Sequence, residues 1–426
     1  MTKEIKYRDL LKEKNCIILL FTNLINRFGD SVDAIAFTWL VYAITKSASW
    51  AAIIFGLNVL PNIVFQPFFG ALAEKLDKKK VIIFTHLLRA AVITAFILMY
   101  MKGIVNPYLM AAFSLVITTI ESLNLPASMA IVPSIVKKEY ISHAMSLNSS
   151  LSSAVALVGT GAAGIIIAKL GVETAMFIDV FTFLAAAVGT FLIKVHAGAA
   201  AQPAPRKASY LSMLKDGFKY VVANRVILNY CLVAVMLNFF MVPINALQAP
   251  LAEDVYGLGS EFLSVFGMAA SVGAIFGSLI IPKLMPKLSA RKILIVCGLV
   301  MGISCVILSM GRAVKGEAVP GYLLGGLSVI AITMACSVIS GTLSIQFVNT
   351  VDKDYLARAS SVFGASATAA MPVGSMIISY AALHLSTGIL IGAGGVLAIV
   401  LFAIIAFSNM QFDMEKPVRE ELADAA

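Results

Sequence analysis

The chain has 426 residues, 60% of them hydrophobic and only 13% charged, with a formal net charge of +9. A soluble domain carries about a quarter charged residues, so this composition excludes an ordinary soluble fold. In lipid the backbone must satisfy itself within helices or a closed barrel. Long unbroken apolar runs decide for helices, and the positive charge reads as basic connectors on one side of a membrane, with no nucleic-acid surface.

Residues Met1 to Asn15 are polar and basic, and the apolar run that follows is too long for a signal peptide. It reads as the first membrane helix, with no cleaved leader expected. Twelve runs, each near the roughly 20 residues a span requires, predict helices at 17–43, 49–70, 81–101, 107–133, 142–168, 172–194, 226–250, 261–281, 292–311, 320–348, 359–382 and 387–409. They divide into a six-helix half over 1–194, a linker over 195–225, a second six-helix half over 226–409 and a tail over 410–426. Within the linker, Tyr210, Leu211, Leu214, Phe218, Val221 and Val222 form one helical stripe beside Lys215 and Lys219, the pattern of a short helix on a membrane surface.

Alternate connectors hold the basic residues, among them Lys75, Lys78, Lys79, Lys80, Lys137, Lys138, Lys283, Lys287, Arg291, Lys292, Lys353 and Arg358. The opposite connectors keep only Lys46, Lys102, Lys169, Arg312 and Lys315. This bias places both termini in the cytoplasm.

The chain also repeats itself. VKKEYISHAMS begins at Val136 and VDKDYLARASS at Val351, an offset of 215 that also carries Gly159 onto Gly374. Two related halves in a membrane protein commonly hold a substrate path between them.

Ionisable residues inside a span are costly and are functional candidates by default. They are Arg27, Asp30 and Asp33 on helix one, Arg89 on helix three, Glu121 on helix four and Asp179 on helix six, all in the first half. At about 1.5 Å per residue, Asp30 lies about 20 Å from the inner end of its helix, near the midplane. Arg27, Asp30 and Asp33 are three apart, so neighbours can pair along one face. Two close carboxylates cannot both ionise cheaply in a low dielectric, so one is expected to carry a proton. Arg89 and Glu121 fall at matching depths and are expected to pair. Asp179 is expected to serve packing near the outer side, and His86 to be a packed neutral histidine. Asn23, Asn26, Phe28 and Phe37 share helix one with the acids and are candidates to line a substrate cavity. The second half offers neutral groups such as Asn238 and Gln346.

Several chemistries find no support. Cys16, Cys231, Cys297, Cys305 and Cys336 lie in or beside apolar runs without metal-ligand spacing, so they read as packing residues. The run Gly159-Thr160-Gly161-Ala162-Ala163-Gly164 formally matches a dinucleotide fingerprint but sits inside an apolar helix rather than between strand and helix. No phosphate-binding loop or nucleophile-base pair occurs, so no enzyme, cofactor or metal is expected.

The segment GALAEKLDKKK, Gly70 to Lys80, resembles the signature of the major facilitator superfamily, with Glu74 where that pattern has Asp and Asp77 where it usually has Gly. PASMAIVPSIVKKEYISHAMSLNSS from Pro126, KDGFKYV from Lys215 and SIQFVNTVDKDYLARASSVFG from Ser344 are similar to the drug-exporting branch that includes macrolide and siderophore exporters. Gln346 matches a glutamine recurrent in that branch. The resemblance implies an all-α fold of twelve helices in two pseudo-symmetric halves that rock around a central site. It also implies a gating loop of Gly70, Glu74, Asp77, Lys78 and Lys79. The branch's helix-five antiporter run appears here as Gly159, Gly161 and Gly164 without its proline, leaving a packing surface of small residues.

Together these readings describe a monomeric, secondary active exporter of the bacterial plasma membrane. It is expected to exchange a small amphipathic substrate for protons. Carboxylates outnumber bases within the spans, which favours a cationic substrate. Export of a particular endogenous molecule, such as a siderophore or lysolipid, is the alternative, and a non-transporting membrane sensor is a third.

Overall fold

Polar residues between the apolar runs sit where helices begin. Ser47, Asp77, Asn106, Asn224 and Ser289 each accept a hydrogen bond from a backbone N–H of the turn they open, satisfying donors that a helix start leaves unpaired. The computed structural model describes residues 13–136, 140–194, 210–352, 355–408 and 410–412, with side chains there except those at 66, 67, 70, 71, 73–75, 142, 210–214 and 357. Every long element among them is helical.

The first half consists of α1 (Lys14–Thr45), α2 (Ala48–Lys75), α3 (Lys78–Met101), α4 (Pro107–Ile135), α5 (Ile141–Leu170) and α6 (Val172–Leu192). A linker helix, α7 (Tyr210–Ala223), precedes α8 (Arg225–Ala246), α9 (Ser260–Leu284), α10 (Ala290–Ser309), α11 (Ala318–Thr350), α12 (Leu356–Ala381) and α13 (Thr387–Phe407). Eleven of these are long and apolar enough to cross a membrane. The 32-residue α1 makes the twelfth span; Arg27, Asp30 and Asp33 lower its hydropathy. We call the end where α1 starts the basic end, and the opposite one the far end.

The internal repeat is visible in geometry. Tyr140 and Tyr355, 215 apart, precede α5 and α12 with nearly the same backbone angles. Lys137, Lys138 and Lys353 lie outside the described residues. Packing follows the same symmetry: α2 lies on α4 as α9 lies on α11, and α3 lies on α6 as α10 lies on α13. The halves meet chiefly through α2 against α12 and α5 against α9.

Two boundaries differ from the sequence reading. The segment from Gly70 is helix rather than loop, because α2 continues to Lys75 and only Leu76 and Asp77 separate it from α3. The side chains of Gly70 and Glu74 lie outside the described residues. The seventh predicted span, α8, does not end at Pro250. After a break at Leu247, a short turn (Gln248–Pro250) and a π-helix (Leu251–Tyr256) carry it further toward the far end. Pro243 inside α8 removes one backbone donor, and Gly257, with φ +66°, terminates the π turn.

The linker helix is tied to the second half. Tyr220 stacks on Tyr355 with ring centroids 4.5 Å apart, and its hydroxyl donates to Asp352 Oδ2 at 3.0 Å. Val221 is buried there while Phe218, Val222, Lys215 and Lys219 are exposed, so the apolar stripe splits between protein and surroundings.

Candidate functional site

The helical spacing of α1 sets Asn23, Asn26, Asp30 and Asp33 along adjoining turns. Asp30 is the hub. Its Oδ1 accepts from Arg89 Nη2 at 3.2 Å, and its Oδ2 accepts from Asn26 Nδ2 at 2.8 Å. Arg89 is 8% exposed and its guanidinium lies 4.1 Å from the ring centroid of Phe183 on α6, a desolvated position that strengthens the cation–π contact.

These contacts correct two expected pairings. Asp30 pairs with Arg89 on α3 and not with Arg27, whose side chain is exposed. Glu121 lies within Coulombic range of Arg89, Asp30 and Arg27, yet no ion pair to it occurs within 4 Å among the described residues. Sequence spacing fixes depth along a helix but not the angle at which neighbouring helices present their faces.

Asp179, expected to serve packing near the outer side, packs against α1 beside the turn that carries Asp30. It is 1% exposed, and the α1 backbone approaches it at Gly29, where an added Cβ would stand 2.6 Å from Asp179 Oδ1. Four elements therefore bring charge to one region: α1, α3, α4 and α6. Within it, Asp33 Oδ1, Asp179 Oδ2, Arg89 Nε, Asn26 Oδ1 and His86 Nδ1 are buried without a hydrogen-bond partner. Buried polar atoms are normally paired, so this concentration marks the interior of the first half as chemically unusual.

A cleft of about 210 Å³ reaches the cluster. It runs from Leu19, Ile131 and Ile193, near the basic end, to Asn26, Asp30 and His86. Asn124 and Ser128 on α4 and Ser152 on α5 add further polar groups to its wall. Asn23, also on the wall, donates to Asn148 Oδ1 at 3.0 Å. Toward the far end the half is filled by Phe37, Phe96 and Phe113, with Phe96 and Phe113 stacked at 4.2 Å and Phe37 at 5.3 Å from Phe113. Phe37 is thus core, 7% exposed, and does not line the cleft.

The second-half candidates lie apart from this cluster. Asn238 donates to Ala234 O of its own helix at 2.9 Å, and Gln346 is half-buried near the basic end of α11. The helix-five glycines are close-approach points. An added Cβ at Gly159 would meet Phe28 O at 3.0 Å on α1, and one at Gly161 would meet Met268 Sδ at 2.7 Å on α9. Gly164 N–H donates to Ser264 Oγ at 2.6 Å across the halves. Gly374 instead faces Phe239 and Val242 within its own half.

Of the expected gating residues, Asp77 caps α3 by accepting from Lys80 N at 3.2 Å. Lys79 Nζ donates to Phe191 O and Ile193 O at 2.7 and 2.8 Å, neutralising the C-terminal carbonyls of α6. Both contacts stay within the first half.

Sequence reasoning missed a set of contacts at the far end. Tyr42 donates to Asp254 Oδ1 at 2.6 Å, Lys46 Nζ meets Glu253 Oε1 at 2.6 Å, and the hydroxyls of Ser49 and Ser379 lie 2.9 Å apart. Ser375 donates to Ala52 O. Among the described residues, the hydrogen bonds and ion pair joining the two six-helix halves all lie toward this end. Lys46, Glu253 and Asp254 look like loop charges until the π-helix carries the two acids to the end of α1.

Two six-helix halves, a pseudo-symmetric interface and a charged interior in one half define a polytopic membrane transporter. A family model described as "Transmembrane secretion effector" matches residues 10–423, and the chain belongs to that family of the major facilitator superfamily. It is 24% identical over 334 residues to macrolide efflux protein A of Enterococcus faecalis, covering 75% of this chain and 96% of the relative. It is 23% identical to the MFS-type transporter YvqJ of Bacillus subtilis, over 94% of both chains. It is 22% identical to the staphyloferrin A transporter of Staphylococcus aureus, covering 65% of this chain and 69% of that one. Among solved structures, the nucleoside transporter NupG matches with a TM-score of 0.74 at 14% identity, over 95% of this chain and all of that one. A bacterial homologue of the iron transporter ferroportin, in an inward-facing state, matches with a TM-score of 0.70 at 14% identity, over 93% and 99%.

Proposed function

We propose that this chain is a proton-coupled exporter of small amphipathic molecules, working by alternating access as a monomer in the bacterial cytoplasmic membrane. The observation that carries the reading is the Asp30–Arg89 pair held inside one half with Asp33 and Asp179 beside it. Breaking a buried carboxylate–base pair is costly and becomes easier when the carboxylate takes a proton, so protonation and helix packing are linked there. Basic connectors at the end where α1 starts support a cytoplasmic assignment of that end and of both termini. Contacts joining the halves at the far end fit a state whose central path opens toward the cytoplasm. Efflux proteins among the relatives support export as the direction.

The staphyloferrin A transporter among the relatives favours a second reading, export of one endogenous molecule. An anionic ligand would call for bases along the path, and the spans of the second half carry charged residues only near their ends. This favours a cationic or neutral substrate. A sensor without transport would have no use for the buried acids.

The test is flux of ethidium and erythromycin in everted vesicles, driven first by an imposed pH gradient and then by a substrate gradient alone. The native chain should accumulate substrate with the pH gradient. Asp30→Asn should lose that accumulation while still exchanging substrate down its own gradient. Full pH-driven accumulation in Asp30→Asn removes the proton from this site, and no flux of any kind by the native chain favours the sensor.

A further inference from the structure

Every lining residue of the cleft belongs to the first half: its walls come from α1, α3, α4, α5 and the end of α6. We propose that it is a proton path, along which water from the basic end reaches the buried acids, with His86 as the residue that hands protons on. The inference rests on the proton-coupled reading above and gives it a route distinct from that of the substrate.

Three features carry it. Polar groups recur along the wall, from Asn23, Ser128 and Ser152 to Asn26, Asn124 and Asp30, between the apolar Leu19, Ile82 and Ile131, and give water hydrogen-bond partners on the way. From Leu19 to Asp30 the wall covers about 16 Å along α1. His86 on this wall is 6% exposed and its Nδ1 has no hydrogen-bond partner, while its ring packs 5.8 Å from Phe183. Beyond Asp30 the aromatic plug of Phe37, Phe96 and Phe113 closes the half toward the far end. Water that enters from the basic end therefore stops at the acids.

The charged groups around His86 set the sequence of events. Arg89 lies one turn along α3 from His86, Arg27 and Asp30 of α1 line the same cleft, and Asp33 of α1, Glu121 of α4 and Asp179 of α6 lie around Arg89. Asp30 releases its proton to cleft water, and His86 takes it at Nδ1 and returns it to water that leads to the basic end, the direction in which a proton-driven exporter moves protons. One O–H breaks at Asp30, one N–H forms and breaks, and one O–H forms on the water that leaves as hydronium. Before the release Arg89 is free to turn to Asp33 or Asp179; afterwards ionised Asp30 takes it as partner, the pair the structure holds. Substrate between the halves meets this event through α1, which packs against α5 and α9 as well as α6, and not by competing for one carboxylate.

Two measurements test the path. Hydroxyl-radical footprinting of the native chain in detergent reports water at a side chain irrespective of substrate. His86 should be oxidised about tenfold faster than Phe96, although both are buried; equal slow rates would mean a dry cleft and overturn the proposal. In everted vesicles, His86→Gln keeps a polar side chain without a titrating ring. It should lose pH-driven ethidium accumulation by about tenfold or more and keep exchange down a substrate gradient. Should His86→Gln fold poorly, Ser152→Cys labelled from the basic end with a membrane-impermeant cationic thiol reagent replaces it, and the label should produce the same split. Native pH-driven accumulation unchanged by both alterations overturns the path alone. Absence of pH-driven accumulation in the native chain overturns the path and the proton-coupled reading together.

Discussion

The two halves share one packing plan and differ in what they bury. The spans of the second half carry charged residues only near their ends, and no buried ion pair answers Asp30–Arg89 there among the described residues. At the place of Arg89, counted from the starts of α3 and α10, stands Met301. The second half shows that the fold needs no charge in its interior. Breaking a buried pair costs more than replacing it whole with apolar groups, so stability alone does not call for the charges of the first half.

The largest effect should come from stranding one member of the pair. Arg89→Gln leaves Asp30 inside without its partner and should cost about 3–5 kcal/mol, read as a fall in thermal midpoint in detergent. Asp30→Met with Arg89→Met, which makes the first half resemble the second, should return to within about 1–2 kcal/mol of the native chain. Additive losses in this cycle would show that the two residues are energetically independent.

Next in size are changes at the far end, where the halves touch. Tyr42→Phe removes a hydrogen bond to a carboxylate and should weaken closure by about 1.5–3 kcal/mol. Gly164→Val should act in the same direction by about 1–3 kcal/mol, because its Cβ would stand 2.9 Å from Glu261 Cα and 3.0 Å from Ser260 O of the other half. Spin-label distances across the far end should lengthen in both. Gly364→Ala, where nothing lies within 4 Å of the added Cβ, should leave them unchanged, and lengthening there too would sink the contact argument.

Smallest should be Lys46→Gln. Lys46 and Glu253 are 59% and 37% exposed, so screening limits the pair to about 1 kcal/mol or less. Raising salt should remove most of its effect on the same distances, while the Tyr42→Phe effect should persist.

Much of this was legible in the sequence because it depends on depth along a helix. Apolar runs gave the spans, and the repeat around Tyr140 and Tyr355 marked equivalent helix starts. Asp30 and Arg89 stood out as buried charges. Their pairing was not legible, since Arg27 and Glu121 lie at equally suitable depths and only the packing of α1 on α6 and α3 on α6 decides which side chains meet. Asp179 was undervalued because nothing in α6 reveals that Gly29 lets α1 approach it. The far-end contacts were hidden by local structure: Pro250 looks like a helix end, and the π-helix beyond it places Glu253 and Asp254 against α1.

The central claim is that the charges of the first half serve coupling and not the fold. It is tested most directly in proteoliposomes that contain a trapped pH dye, by counting protons moved per substrate for the native chain and for Asp30→Met with Arg89→Met. The native chain should move protons against substrate, and the double variant should stay folded and let substrate equilibrate with no proton movement. A folded double variant that still moves protons with substrate in the native ratio would contradict it.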